Sequence, residues 1–312
     1  MSNKSKKDKT VKNVKENAPF IKVAAFLGPA ALLIGLFYFL PGIMTILLSI
    51  TDMGFDFSIN FVGLENFMNM TTDPTLGRIL RNTFIYVFGT LIFFNVGMGL
   101  VLALLTSYAG KKGAMFFRLV WLLPRMTPPL VYILMWQFML DPSRHGAFNL
   151  LRMNFLELGP INFFSQHPMA VIIIVNGFIG ASMGMIVLAS AIESIPISYF
   201  RAARIDGASE LQIIKNITLP MIKWPLMFIT VYQTLALFTS FEYILALTGG
   251  GPFHSTEVLS LYAYNTALNF YDFGYGSALA AILVIIGIIF CTIYWKLFRF
   301  ENSISDPKIE IT

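Results

Sequence analysis

The sequence predicts an all-α polytopic membrane protein with six transmembrane helices and both termini in the cytoplasm. Three observations carry this. Charged residues make up only 12% of the 312-residue chain and hydrophobic ones 56%, with a mean hydropathy of +0.69; a soluble domain carries about 25% charged residues. So few charges cannot cover a water-facing surface. The apolar residues are gathered into six blocks, each long enough for a bilayer core that needs about 20 of them. Basic residues are crowded into alternate loops, the asymmetry that sets orientation.

The first block, Val23–Ile50, follows a lysine-rich start. A cleavable signal has an apolar region of about 7–15 residues and a small-residue cleavage site. This run is uncharged from Val23 through Thr51 without a clean cleavage pattern, so it reads as a retained helix. Thr83–Ala109 is the second block, and Leu119–Leu140 the third. The third holds Arg125 among Pro124, Pro128 and Pro129 in "LLPRMTPPL", which predicts a kinked or opened helix whose freed carbonyls face a cavity. Met169–Ile192, Trp224–Thr248 and Tyr275–Trp295 complete the set; Glu242 in the fifth is the other charge inside a block. Cys291, the only cysteine, lies in the last, which rules out an intrachain disulfide.

An inside N-terminus puts seventeen basic residues on the inner face: Lys4, Lys6, Lys7, Lys9, Lys12, Lys15, Lys22, Lys111, Lys112, Arg118, Arg201, Arg204, Lys215, Lys223, Lys296, Arg299 and Lys308. The outer loops receive four, Arg78, Arg81, Arg144 and Arg152. The chain divides into a basic cytoplasmic arm (1–20), a membrane domain (21–300) with a large cytoplasmic loop (194–222), and a cytoplasmic tail (301–312). The net charge of +5 is explained by anionic headgroups, without nucleic acid. The outer loops are Asp52–Asn82, Asp141–Pro168 and Gly249–Gly274; the inner loop Gly110–Phe117 is short, which makes its flanking helices neighbours. No phosphate-binding loop G-x-x-x-x-G-K-[ST] is present. His145, His167 and His254 are isolated in outer loops and read as solvated residues, so no metal site is expected. A polytopic membrane enzyme would cluster acids, bases or metal ligands at one depth, and the sequence shows no such cluster.

The large loop reads "RAARIDGASELQIIKNITLP", Arg201 to Pro220. Pro196 starts a helix over Ile197–Ile205, since its missing donor is an orphan in a first turn anyway. Asp206-Gly207 is a turn signal. A second helix restarts near Ala208, with Ser209 and Gln212 at capping-box spacing. Ile213, Ile214 and Ile217 supply its apolar stripe, and Leu219-Pro220 ends it. The small residues Ala202 and Ala203 near the tip allow another backbone to approach. Spacing alone fits two descriptions, an amphipathic connector in the interface or a docking elbow.

This stretch resembles the "EAA" loop in permease subunits of binding-protein-dependent ABC importers: E-A-A, three residues to D-G-A, then I-x-L-P. Ala202, Ala203, Asp206, Gly207, Ala208, Ile217, Leu219 and Pro220 stand in the matching positions. "GLENF", the fourth-helix ending "SIP", and "LTGGGPFHSTEVLSLYAY" resemble the sugar-permease branch, and the likeness runs from Phe20 to Phe300. It implies the type I, maltose-type ABC importer permease fold in a bacterial cytoplasmic membrane. It also implies contact with two cytoplasmic ATPase subunits through Arg201, Ala202, Ala203, Asp206, Gly207, Ala208, Leu219 and Pro220. ATP and Mg then belong to those partners, and this chain holds no cofactor. A second, different permease subunit and an extracytoplasmic solute-binding protein delivering a carbohydrate, an oligosaccharide in this reading, are further implied. The family's Glu is Arg201 here and an aromatic position is Ile214, so a compensating acidic residue is expected on the ATPase.

In the fifth block, Gln233, Leu237 and Ser240 share one helical face with Ala236 beside them. Gly180 and Met183 lie at similar depth in "GFIGASMGM" of the fourth. The resemblance implies that these helices line the sugar pathway; helix packing glued by small and polar residues is the alternative. Arg125 either pairs with Glu242 as a structural lock or contacts substrate, which would favour an anionic sugar. The Gly249–His254 turn is either a landing element for the binding protein or a plain glycine turn. A self-sufficient secondary transporter or channel is the competing reading of the whole.

Overall fold

The computed structural model describes residues 20–298, which places the basic arm and the tail outside the described residues. Among those described the protein is helical, with one isolated antiparallel bridge between Thr51 and Phe61. Helix α1 runs through Phe20–Ile34, a widened π stretch at Gly35–Phe39, and Leu40–Leu48. A short α2 (Glu65–Thr72) precedes α3, which is Leu76–Gly89, a π stretch at Thr90–Met98, and Gly99–Tyr108. Then come α4 (Lys111–Met126), α5 (Pro129–Met139), α6 (Ala147–Leu156), α7 (Phe163–Gln166) and α8 (Pro168–Glu193). The elbow is α9 (Ile197–Ile205) and α10 (Glu210–Ile213, π at Ile214–Thr218, Leu219–Met221). The chain ends with α11 (Lys223–Thr239), α12 (Glu242–Thr248), α13 (Leu259–Tyr264 with π at Asn265–Asn269) and α14 (Phe273–Phe298).

Four helices are each long and apolar enough to cross a membrane: Phe26–Leu48, Leu76–Tyr108, Pro168–Glu193 and Phe273–Leu297. Two helix pairs reach that length and apolarity only when taken together, and each is bent: Lys112–Met126 with Pro129–Met139 at 97°, and Glu210–Met221 with Lys223–Thr239 at 69°. The third apolar block is therefore two helices. Thr127 and Pro128 are extended between them, as expected of residues that each precede a proline. The fifth block also breaks: α11 stops at Thr239, Ser240 is extended, and Glu242 opens α12. Leu219-Pro220 does not end α10, which continues to Met221 and turns at Ile222. The π stretch immediately before Pro220 widens the turn that a proline ring would otherwise crowd.

The outer loops hold more structure than their composition shows. α2, α6, α7 and α13 all lie within them, and α13 buries Leu259, Leu261 and Ala263 while packing on α14. Helix α3 begins at Leu76, before the apolar block does. Its 33 residues measure about 50 Å at the α-helical rise, more than the ~30 Å of a hydrocarbon core. The surplus is the polar first turns with Arg78, Arg81 and Asn82.

The core sits where α3 crosses α8. A Cβ on Gly184 would lie 2.0 Å from the Asn95 carbonyl oxygen, and one on Gly99 3.0 Å from the Gly184 Cα. Gly177 faces the Phe94 ring and Gly180 the Asn95 side chain in the same way. Small residues at such a crossing let two backbones touch, and dispersion replaces the hydrophobic drive that lipid removes. Around it Tyr86, Val87 and Leu91 of α3 pack on Val171, Ile172 and Val175 of α8, closed by Leu237, Phe238 and Ile244. In contrast, α1 presents Phe26, Leu32, Phe37 and Phe39 outward, the surface expected of a helix in hydrocarbon. Gly184→Ala should destabilise the protein by about 1–3 kcal/mol, as overpacking does, lowering the unfolding midpoint in detergent. Gly42→Ala, with nothing within 4 Å of its new Cβ and a better helix former in place, should not lower that midpoint.

Candidate functional site

The elbow forms as its local chemistry dictates. Pro196 stands immediately before α9, and Gly207 takes φ +80°, a conformation that favours glycine. The capping box closes both ways: the Gln212 amide donates to Ser209 Oγ at 3.4 Å and the Ser209 amide to Gln212 Oε1 at 2.7 Å. Its base is seated by Ile195 and Ile222 packing with Ala103, Leu188, Ile192 and Ile229, while Ile213 is fully buried. Polar ties hold the tip. Arg204 Nε donates to Glu210 Oε1 at 3.1 Å, joining the two limbs, and the Tyr108 hydroxyl at the end of α3 donates to Glu210 Oε2 at 2.8 Å. Between α9 and the ends of α3 and α8 lies a cavity of about 500 Å³. Arg201, Ala202, Asp206, Gly207 and Pro220 are exposed; Ala203, Ala208 and Leu219 are half-buried. Arg201 has no ion pair among the described residues, so its charge faces outward.

Gly180 and Gln233 meet, since Gln233 Nε2 donates to the Gly180 carbonyl at 3.3 Å, and both are buried. Leu237 is buried in the core, and Met183 is half-buried against the cluster beneath the elbow. Ser240 lies at the break after α11: the Tyr86 hydroxyl donates to its Oγ at 3.3 Å and Ser260 Oγ to its carbonyl at 3.2 Å. Asn176 Nδ2 donates to the Tyr86 hydroxyl in turn. Ala236 is exposed and turned away from these three. Asn95 and Tyr86 complete the polar interior, and sequence reasoning missed both; Asn95, the one amide inside the second apolar block, was the available signal. The Arg125–Glu242 pair does not form. Arg125 is exposed in the last turn of α4 with no hydrogen bond or ion pair among the described residues, because α5 turns away directly after it. Glu242 accepts from the Phe241 amide at 3.3 Å. Both charges lie within electrostatic reach of the Tyr243 hydroxyl.

The glycine turn is a built element. Gly249, Gly250, Phe253 and His254 all have positive φ, and Gly251-Pro252 is cis. Helix α3 clamps it: Arg78 Nη1 donates to the Phe253 carbonyl at 3.0 Å, and Asn82 Nδ2 to the His254 carbonyl at 2.8 Å and the Glu257 carbonyl at 3.2 Å. His254 is exposed, as expected, but it is not isolated. Its Nδ1 contacts the carboxylate of buried Glu257, which also accepts from Asn265 Nδ2 at 2.8 Å. His145 and His167 are exposed, and no group of three metal-ligating side chains occurs among the described residues. The Phe253 ring, 89% exposed, projects from the turn. Nearby, Asp73 ties the outer ends of α3, α13 and α14. Burial works against its charge, but bonds from the Thr75 hydroxyl, the Tyr262 hydroxyl, the Thr75 amide and the Tyr275 hydroxyl outweigh it and hold the carboxyl down to about 2.

Residues 95–298 match the family described as the binding-protein-dependent transport system inner membrane component. A probable ABC transporter permease protein of Pyrococcus horikoshii is 31% identical, over 88% of this chain and 95% of its own length. The diacetylchitobiose uptake system permease protein NgcF of Streptomyces coelicolor is 28% identical, over 89% of this chain and 82% of its own. In fold the chain is similar to one from a bacterial ABC transporter involved in the import of the acidic polysaccharide alginate. The TM-score is 0.78 at 22% identity, over 93% of this chain and 98% of that one.

The Asp73 carboxylate lies below its ordinary value of 3.8, so its contribution is complete above about pH 4 and is lost as pH falls towards 2. Thermal unfolding in detergent should show that loss in the wild type. Asp73→Asn should lower the midpoint at neutral pH and remove most of the acid-dependent decline.

Proposed function

Because the chain belongs to the binding-protein-dependent transport system inner membrane component family, we infer that it is the membrane-spanning subunit of an ATP-driven importer. The elbow carries this reading. It is a capped helix–turn–helix with an exposed tip and a seated base, the shape of an element that another protein grips. In this reading α1, α3, the α4–α5 pair, α8, α11 continued by α12, and α14 are the six spans, and α10 stays on the cytoplasmic side. The basic loops support a cytoplasmic elbow and cytoplasmic termini. Two ATPase subunits hold ATP and Mg and receive Arg201, Ala202, Ala203, Asp206, Gly207 and Ala208, with Leu219 and Pro220 at the elbow's far limb. A second, different permease subunit completes the pathway, and ATP-driven closure of the ATPases switches its facing. A solute-binding protein docks outside, where the rigid glycine turn presents Phe253.

The substrate is a carbohydrate, an oligosaccharide in this reading; the relative named for diacetylchitobiose uptake supports that class. Arg125, without an ion pair among the described residues at the broken span, is assigned to an acidic sugar in this reading, since intramembrane ionisable residues by default serve a pathway or a partner. Gly180, Met183, Gln233, Leu237 and Ser240 shape the wall beside it. Ala236, exposed on the other side of α11, faces lipid or the second permease.

Extraction from native membranes in mild detergent should co-purify a P-loop ATPase and a second permease. Recovery of this chain alone, under conditions that keep other membrane complexes whole, would shift the reading to a self-sufficient transporter. In the reconstituted complex, Arg125→Gln should reduce uptake of an acidic oligosaccharide about tenfold or more and spare a neutral one, as loss of a charge-assisted contact does; equal losses would remove the anion assignment. Arg201→Glu should weaken coupling to an acidic groove on the ATPase. Unchanged or improved coupling would show that no such groove compensates.

A further inference from the structure

The elbow is held at two places of different kind. Its base is packed apolar against α3, α8 and α11 through Ile195 and Ile222. Towards the tip that packing gives way to the cavity of about 500 Å³, walled by Leu104, Ser107 and Tyr108 of α3 and by Phe200, Arg204 and Thr218 of the elbow. A limb seated at one end over a hollow pivots unless something bridges the hollow. The bridge present is polar: Tyr108 hydroxyl to Glu210, and Glu210 to Arg204. Tyr108 is the last residue of α3, Arg204 belongs to the first limb, and Glu210 is the first residue of the second limb. One carboxylate thus joins both limbs to a membrane helix 102 residues away in sequence.

We propose that Tyr108, Glu210 and Arg204 form a strut that fixes the angle of the elbow over its hollow and passes the elbow's displacement to α3. Tyr108, Glu210 and Arg204 are positioning residues; they touch neither nucleotide nor substrate. The inference rests on the importer reading. The two bonds are exposed, which makes them weak enough to break and remake in each cycle. Without it the elbow still docks by its tip and seats by its base, but part of its movement is spent in pivoting over the cavity. ATP is then hydrolysed with less transport.

The test uses the complete complex in proteoliposomes, with ATP hydrolysis and solute uptake measured together. Tyr108→Phe and Glu210→Gln should leave ATPase recovery and the unfolding midpoint unchanged, yet lower solute moved per ATP by about two- to fivefold, the factor an exposed pair is worth. The exchange Arg204→Glu with Glu210→Arg restores the bond between limbs and should recover part of that ratio. A ratio unchanged in both single variants, or an exchange no better than either single change, overturns the strut alone. A wild-type chain that recruits no ATPase removes the importer reading and the strut with it.

Discussion

The structure depends on one contact, the crossing of α3 and α8 at Gly99 and Gly184. There the backbones touch closely enough that no Cβ fits on either glycine without displacement. Lipid offers apolar side chains as good an environment as a protein interior does. Close backbone packing and buried hydrogen bonds must therefore hold two membrane helices together. Everything that positions the functional elements hangs from this crossing. Helix α3 clamps the glycine turn through Arg78 and Asn82 in its first turns and meets the elbow through Tyr108 at its last. Helix α8 supplies Asn176 to the Tyr86–Ser240 network and ends at Glu193 beside Arg118. A single helix of 33 residues, held near its middle, therefore touches both candidate contact surfaces.

The middle of α3 is also where its hydrogen-bond register changes. The π stretch Thr90–Met98 contains Asn95, whose amide lies against Gly180. A π stretch widens the helix and redirects one residue relative to an α-helical course. Here the redirected side chain is an amide, directed into a crossing whose other wall is glycine. Gln233 approaches the same Gly180 from α11 and donates to its carbonyl. Three helices thus share one polar spot, and a specific partner there fixes register where leucine and valine alone would tolerate sliding.

What could be read from the sequence follows the range of the forces involved. The long apolar blocks were legible because hydropathy is a property of composition, and four of them appear as continuous helices close to the expected bounds. The elbow was legible because its determinants, Pro196, Gly207 and the Ser209–Gln212 box, act over a few residues. The break at Ser240 was hidden inside a continuous apolar run, and α13 inside a loop of mixed composition, because tertiary packing decides both. The Tyr108–Glu210 bond and the Asn95–Gly180 contact join residues far apart in sequence, and no local pattern announces them. His254 read as isolated for the same reason: its partner Glu257 is near in sequence, but only the positive-φ turn brings the two side chains together.

Among the described residues Arg81, Arg125, Arg144 and Arg201 make no side-chain hydrogen bond or ion pair, but Arg125 alone of these lies inside an apolar block. Arg78, Arg118, Arg152 and Arg204 are each bonded to a carbonyl or a carboxylate. Arg125, inside an apolar block, has no such bond among the described residues. A charge in hydrocarbon is costly, and an ion pair with Glu242, the other charge inside an apolar block, would have reduced that cost. The break between α4 and α5 works against that lock: the 97° bend carries α5 away and leaves the last turn of α4 open. The same prolines that interrupt the span thus leave a guanidinium at its edge with no bond among the described residues, and that placement is the basis for proposing an acidic sugar.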